Sequence, residues 1–308
     1  MAFKPINVFH EQDFDEILNF IVDSKSYRRS SLEESDVIIH TELCQGKIKI
    51  KKLMEELSSR YASSHKKVIL FILDDFEKKL VFYPNLIIVR TSARASRLSA
   101  NEIVLPYVWE YKDQAFAVSE STTLPKVGFC GLVSKSRKKI TRVFGKSKEV
   151  TSDFIIRDKF WGGSPLDPTI QTDFFKNIEN NQFILSNRGA GNFSMRFYQV
   201  LSCGRIPVLV NTDMQLPFSN KIDWKKIVVF EKNEKLCLQR VVAIHREDNY
   251  KAMQIQCRAI FDDFFSQSMY FDRLVEDIRE KSLLESDISI ISNERSFLNK
   301  AIHFLKFK

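Results

Sequence analysis

Cysteine, glycine, proline and long apolar runs are all sparse in this chain of 308 residues. Cys44, Cys130, Cys203, Cys237 and Cys257 are scattered without a CxxC pair, which argues against a disulfide framework and a zinc knuckle. They read as reduced, buried, small apolar residues. No apolar run is long enough to cross a bilayer, and the start, MAFKPINVFHEQDFDE, lacks the apolar core of a signal peptide. A cytoplasmic, reducing location is the expectation. With 9 glycines and 8 prolines the chain has no low-complexity tract, and no internal repeat is visible. No GK[ST] follows a glycine-rich loop and no GxGxxG occurs, which disfavours a P-loop and a dinucleotide site.

What is present is the composition of a soluble globular protein, 44% hydrophobic and 28% charged. The excess of 47 basic over 39 acidic residues suits an anionic partner, although charge by itself says little about site or fold. The length favours two domains. In the first third, short apolar runs (INVF at 6–9, SDVIIHTE at 35–42, KKVILFILDD at 66–75, NLIIVRTS at 85–92, NEIVLPYVW at 101–109) alternate with helical patterns at 14–24 and 47–65. Alternation of this kind predicts an α/β domain with a mostly parallel sheet, its strands covered on both faces. Polar KDQAFAVSESTTLPK (112–126) reads as a linker. A second α/β unit starts at KVGFCGLVSKSRKK and continues through DFFKNIENN (helix), QFILS (strand), SMRFYQVLSC (helix), RIPVLV (strand) and KKIVVF (225–230, strand). Residues from about 236 to 284 are helical in pattern. The expected division is 1–122, 123–284 and a basic C-terminal helix, 285–308.

The most informative stretch is FILSNRGAGNFSMRFYQVLSCGRIPVLV, residues 183–210. Two strand-like runs enclose a loop that delivers the chain into a helix, with Ser194 at the N-cap and Gly204 at the stop. Free N–H groups and the positive end of the helix dipole converge at such a corner and attract an anion. Gly189 and Gly191 permit close backbone approach, Asn192 adds a polar side chain, and Arg188 and Arg196 supply bidentate donors. The bland alternative is a tight turn whose arginines pair with nearby acids.

Residues 183–224, FILSNRGAGNFSMRFYQVLSCGRIPVLVNTDMQLPFSNKIDW, resemble the C-terminal signature of exostosin-like glycosyltransferases, glycosyltransferase family 47. The match runs through Asn-Arg-Gly, Ser-x-Arg-Phe, Gly-x-Ile-Pro-Val, Leu-Pro-Phe and Ile-x-Trp. Upstream, TDFFKNIENNQF, KVGFCG with Arg137, and NEIVLPYV resemble the family more weakly. The resemblance implies a GT-B fold: two Rossmann-like domains facing across a cleft, the first compact. It also implies an inverting transfer of one sugar from a nucleotide-sugar donor, UDP-linked by expectation, to a glycan hydroxyl on an oligosaccharide, glycoprotein or lipid-linked acceptor. Arg188, Gly189, Ser194 and Arg196 fall on the motif and would contact the donor diphosphate. Gln199 stands where the family pattern has a glutamate, keeping hydrogen bonds and losing charge. That departure supports an alternative, a catalytically silent exostosin-like partner protein.

Without an isolated DxD motif, and with a helix N-terminus and arginines to stabilise the leaving diphosphate, no metal or other cofactor is expected. The general base is a short list at strand ends of the first domain: Asp74, Asp75 and His40, with His10 and Glu11 after the first strand at comparable standing to His40, and with His10, Glu42 and Arg90 as acceptor-side candidates. Arg137 and Asp158 are further donor-side candidates, and Trp161 could stack on a nucleobase. No RNA-recognition signature accompanies the dispersed basic residues, so nucleic acid is not expected as a partner. The basic tail, ERSFLNKAIHFLKFK, has two readings, an anionic membrane contact or a brace across the first domain, and bracing is expected. With no membrane anchor evident, the chain reads as a pared-down soluble relative.

Overall fold

The computed structural model describes residues 4–11, 15–42, 47–164 and 167–284. The chain divides into two compact units. The first holds the described residues up to Glu110, Asp213–Phe218 and those from Phe264 on; the second holds Tyr111–Thr212 and Ser219–Asp263.

In the first unit, strands β1 (Ile6–His10), β2 (Tyr27–Arg29), β3 (Val37–Glu42), β4 (Lys67–Ile72), β5 (Leu86–Arg90) and β6 (Glu102–Val104) form one sheet in the order β2-β1-β3-β4-β5-β6. Every pairing is parallel. Strands β4 and β5 are buried along their whole length, which is why they read as unbroken apolar runs. Helix α1 (Asp15–Ile21) follows β1, and α2 (Lys47–Arg60) follows β3. Helix α2 buries Ile50, Met54 and Leu57, spaced at four and three residues, against Val68, Leu70 and Ile88 of the sheet. Each such side chain contributes about 1.5–3 kcal/mol of burial.

In the second unit, β7 (Lys126–Leu132), β8 (Thr151–Arg157), β9 (Phe183–Leu185), β10 (Ile206–Val210) and β11 (Val229–Glu231) form a second all-parallel sheet in the order β11-β10-β9-β7-β8. Its helices are α3 (Lys135–Gly145), α4 (Pro168–Glu179), α5 (Met195–Ser202), α6 (Trp224–Ile227), α7 (Glu234–Arg246) and most of α8 (Tyr250–Phe264). The last described helix, α9 (Gln267–Glu280), belongs to the first unit. Helix α5 ends as expected at Gly204, whose φ of 65° is left-handed backbone that a glycine adopts without a Cβ penalty. Two parallel sheets with helical crossovers match the expected pair of Rossmann-like α/β units.

Several expectations need correction. Strands β2 and β8 were not anticipated: YRR is too short to show a period, and TSDFIIR is largely half-exposed rather than an apolar run. KKIVVF is not a strand throughout, because a helical turn, α6, takes its first half. Residues 112–126 are not a free linker. The Phe116 N–H donates to the Cys203 carbonyl at 3.1 Å, and the Ser119 N–H donates to Gln254 Oε1 at 2.9 Å, strapping this stretch to the second unit. The domain edges accordingly differ from 122 and 284. Helix α9 packs on α1, Tyr270 meeting Phe20 edge-on at 5.2 Å, while Asp272 accepts hydrogen bonds from the Ser24 hydroxyl and the Ser26 N–H. The tail at 285–308, with its membrane and bracing readings, lies outside the described residues. Among the described residues no helix is long and apolar enough to cross a membrane.

Arg90 ends β5 but does not present itself to a ligand. It is 2% exposed, donates to Glu102 at 2.7 Å, and reaches the Phe76 and Lys78 carbonyls. Its role is to pin the 76–78 segment to the sheet edge, which displaces the acceptor-side expectation. Breaking a buried pair leaves one charge unpaired, so Glu102→Ala should lower unfolding free energy by about 3–5 kcal/mol. Urea unfolding checks this; a loss below about 1 kcal/mol would mean Arg90 is hydrated or re-paired.

Candidate functional site: the loop between β9 and α5

The second sheet reverses direction between β7 and β9, because the chain runs from β7 outward to β8 and then returns to the other side of β7. In an open parallel sheet the crevice beyond the carboxyl ends at such a point is where ligands bind. Two connections leave the sheet there, one from β7 into α3 and one, residues 186–194, from β9 into α5. The sequence therefore places its glycine- and arginine-containing loop at this position.

Arg196, in the first turn of α5, turns its guanidinium into the gap between the two strands. Nη2 donates to the Cys130 carbonyl at 2.6 Å and Nη1 to the Leu185 carbonyl at 3.3 Å, while the group lies 4.6 Å from the Phe129 ring centre. Gly131 makes room for it: a Cβ there would lie 2.6 Å from Nη2, on backbone of φ +145°. Arg196 is 9% exposed and has no ion pair among the described residues. Burial pulls its pKa down to about 9, with Arg137 adding like-charge repulsion. The expected alternative, an arginine neutralised by a nearby acid, does not describe Arg196.

Arg137, on α3, is the second cation. Its Nε donates to the Asn187 carbonyl at 3.3 Å and Nη1 to the Leu132 carbonyl at 3.2 Å, and burial lowers its pKa. A Cβ on Gly189 would stand 3.5 Å from Arg137 Nη2, in ordinary contact, so the loop passes close to this guanidinium. Gly189 and Gly191 do not take left-handed backbone, so the corner does not depend on them for its conformation. The loop is instead braced by side chains. Asn187 Oδ1 accepts from the Val210 N–H at 3.1 Å. Asn192 Oδ1 accepts from Thr212 Oγ1 at 2.7 Å and from Arg188 Nη1 at 3.2 Å, and Arg188 Nη2 donates to the Ala190 carbonyl at 2.9 Å. Ser194 occupies the N-cap position with extended backbone, yet its hydroxyl makes no capping bond and is buried without a partner. Gln199 is buried on α5. Asp158 is exposed just past β8 and stands apart from this cluster in the hydrogen-bond pattern. Its neighbour Arg157, which the sequence reading missed, pairs with Asp173 of α4.

The first unit gathers other candidates at the carboxyl ends of its strands. His40 is 4% exposed and its Nδ1 lies 2.6 Å from Glu11 Oε2; Glu42 approaches the other ring nitrogen at 3.7 Å. His10 shares a hydrogen bond of 3.1 Å with the Tyr27 hydroxyl. Strand β4 stops at Ile72, so Asp74 and Asp75 lie in the loop beyond it; the Asp74 carbonyl accepts from Thr91 Oγ1 at 2.8 Å. Both carboxylates act on Tyr107, whose pKa rises to about 12, chiefly through burial. Tyr107 is a participant that residue-by-residue reading passed over, whereas Glu11 stood with His10 among the base candidates after the first strand. Glu11 was visible as the residue after the first strand; nothing in the sequence pairs Tyr107 with the aspartates.

The second unit is thus a parallel α/β unit with a buried arginine at its reversal point that pairs with carbonyls and with no acid among the described residues. The family model for the Exostosin GT47 domain matches residues 128–246, which carry this corner. Exostosin-1c of Danio rerio is 36% identical over 99 residues, 30% of this chain and 13% of that protein. Exostosin-1 of Drosophila melanogaster is 33% identical over 95 residues, 30% of this chain and 12% of that protein. The match thus spans about an eighth of the length of these curated relatives. Among solved structures, TarM aligns over 85% of this chain and 55% of its own, at 11% identity and a TM-score of 0.43. The second unit is exostosin-like, as the motif at 183–224 implied.

Gly131→Ala tests the fit around Arg196. The added methyl forces the guanidinium or β7 to shift, and overpacking of this kind lowers stability by about 1–3 kcal/mol. Because alanine is also strained at a φ of +145°, the contact is read from the difference between the loss in the parent and in an Arg196→Met background, by thermal or urea unfolding; an equal loss in both would mean that the Arg196 guanidinium is not held against Gly131.

Proposed function

We propose that the protein is a glycosyltransferase that moves one sugar from a nucleotide-sugar donor, UDP-linked, to a hydroxyl of a glycan acceptor, with inversion at the anomeric carbon and without a metal. The observation that carries this reading is Arg196: a buried cation, held by two carbonyls, beside a second cation and lacking an acid among the described residues. A buried charge left unpaired is costly, and a diphosphate at the α5 N-terminus would supply the missing negative charge. The same guanidinium would stabilise the nucleoside diphosphate as it departs, which is where negative charge develops. Arg137, Arg188, Ser194 and the backbone of 187–195 line the approach. The exostosin likeness of residues 128–246 supports the donor class.

The second reading, a catalytically silent exostosin-like partner, is favoured by one residue, Gln199, an amide where the family pattern carries an acid. It predicts UDP binding without UDP release from any donor, so a donor-hydrolysis assay separates the two.

UDP should raise the melting temperature of the protein. At about 100 times Kd the stabilisation is about 2.7 kcal/mol, because the ligand binds only the folded form. Arg196→Met keeps the volume and removes the charge; the UDP-induced shift should disappear while the far-UV spectrum stays that of the parent. A full shift in that variant would remove the basis of the proposal. Release of UDP from donors should also survive excess EDTA, and loss of turnover restored by added magnesium or manganese would overturn the metal-independent part.

A further inference from the structure

The second unit carries a charged surface that the corner between β9 and α5 does not use. From Lys135 to Lys148 the chain holds seven basic residues and no acid. Helix α3 sorts them. It buries Ile140 and Phe144 on its inner side, and Arg137 reaches the loop at 187–189. Lys135, Lys138, Lys139, Arg142 and Lys146 are exposed and, at three- and four-residue spacing, share one side of the helix over about 16 Å. Among the described residues Lys139 alone of these five has an acid within ion-pair distance, Glu234 in the first turn of α7, 2.7 Å away. That pair ties α3 to α7. The two helices border a groove of about 410 Å³, lined by Arg142, Lys146 and Lys235 together with the apolar Val143 and Leu238; Glu149 is the one acid on its lining. Lys235 is exposed and, like Arg142 and Lys146, has no ion pair among the described residues.

Such a stripe works against its own helix. Like charges at these spacings repel one another, and Lys135 stands in a first turn that has no acid, against the positive end of the helix dipole. An anionic partner relieves both. We infer that the face formed by α3 and α7 docks on an anionic lipid bilayer, its cations meeting the headgroup phosphates. Charge complementarity selects an anionic surface, as it does for basic clusters on amphipathic helices. The groove selects lipid over nucleic acid. Its cations stand beside Val143 and Leu238, so the phosphate of a headgroup and the apolar region under it are met in one place. No aromatic side chain lines it, so an unpaired base has no platform on which to stack. The inference does not rest on the transfer reaction, and it does not involve the tail at 285–308.

Co-sedimentation of the full chain with lipid vesicles tests this. The parent should bind phosphatidylcholine vesicles that contain phosphatidylglycerol and not vesicles of phosphatidylcholine alone. Arg142→Gln/Lys146→Gln/Lys235→Gln should weaken that binding by about 100-fold, each lost charge counting for about fivefold, with a melting temperature no lower than the parent's. Lys146→Gln alone should lose about fivefold, which keeps the comparison open if the triple variant folds poorly. Arg142→Lys/Lys146→Arg/Lys235→Arg keeps every charge and should bind within about threefold of the parent. An equal loss of charge at exposed positions of α2 in the first unit, Lys49→Gln/Lys51→Gln/Lys52→Gln, should also stay within about threefold. No binding by the parent, or equal binding to phosphatidylcholine alone, overturns the proposal. So does a groove triple that binds within about threefold of the parent, or an α2 triple weakened as much as the groove triple. Single-stranded DNA bound more tightly than the anionic vesicles, and released by the same groove variant, assigns the face to nucleic acid and overturns the lipid.

Discussion

The second unit depends on one buried guanidinium. Arg196 joins β7 to β9 through the Cys130 and Leu185 carbonyls at the place where the sheet reverses its order. A parallel sheet is hydrogen-bonded throughout except at its ends, and at a reversal point the two outgoing connections diverge and leave a gap. Filling that gap with a cation rather than an apolar side chain ties the strands together and leaves the unit electrostatically incomplete. The compensating acid that most buried arginines have is present for Arg90, in Glu102, and has no counterpart at Arg196 among the described residues. These two arginines, both at strand or helix ends and both nearly buried, therefore differ in one respect: Arg90 has an acid partner and Arg196 has only carbonyls.

The surroundings are consistent with that division. Asn187 and Asn192 stiffen the loop by hydrogen bonds to Val210 and Thr212, so side chains hold the shape of the corner. Preorganised donors do not have to rearrange when charge develops on a leaving group, which is why fixed dipoles and cations stabilise it more than water does. Ser194 adds a buried hydroxyl without a hydrogen-bond partner, next to the first N–H groups of α5.

Much of this was legible in the sequence, and the limits have physical reasons. The fully buried strands β4, β5 and β10 announce themselves as apolar runs, and the corner at 186–196 is a local motif whose glycines, serine and arginines stand together along the chain. Strands β2 and β8 are short or half-exposed and carry no such signal. The role of Arg90 was unreadable because its partner lies on another strand, and the same holds for His40, whose environment is assembled from β1, β3 and α2. Gly131 illustrates the point most directly. Its need arises from its own φ of +145° and from Arg196, 65 residues later, and neither residue alone discloses the contact. Local chemistry is written in order along the chain; pairing across a fold is not.

The most direct measurement is a crystal structure of the full chain with UDP bound. The account places both phosphates beside the backbone N–H groups at the start of α5, within hydrogen-bonding reach of Arg188 or Arg137 and next to the Arg196 guanidinium. A nucleotide seated elsewhere, with the corner between β9 and α5 filled by side chains, would contradict it.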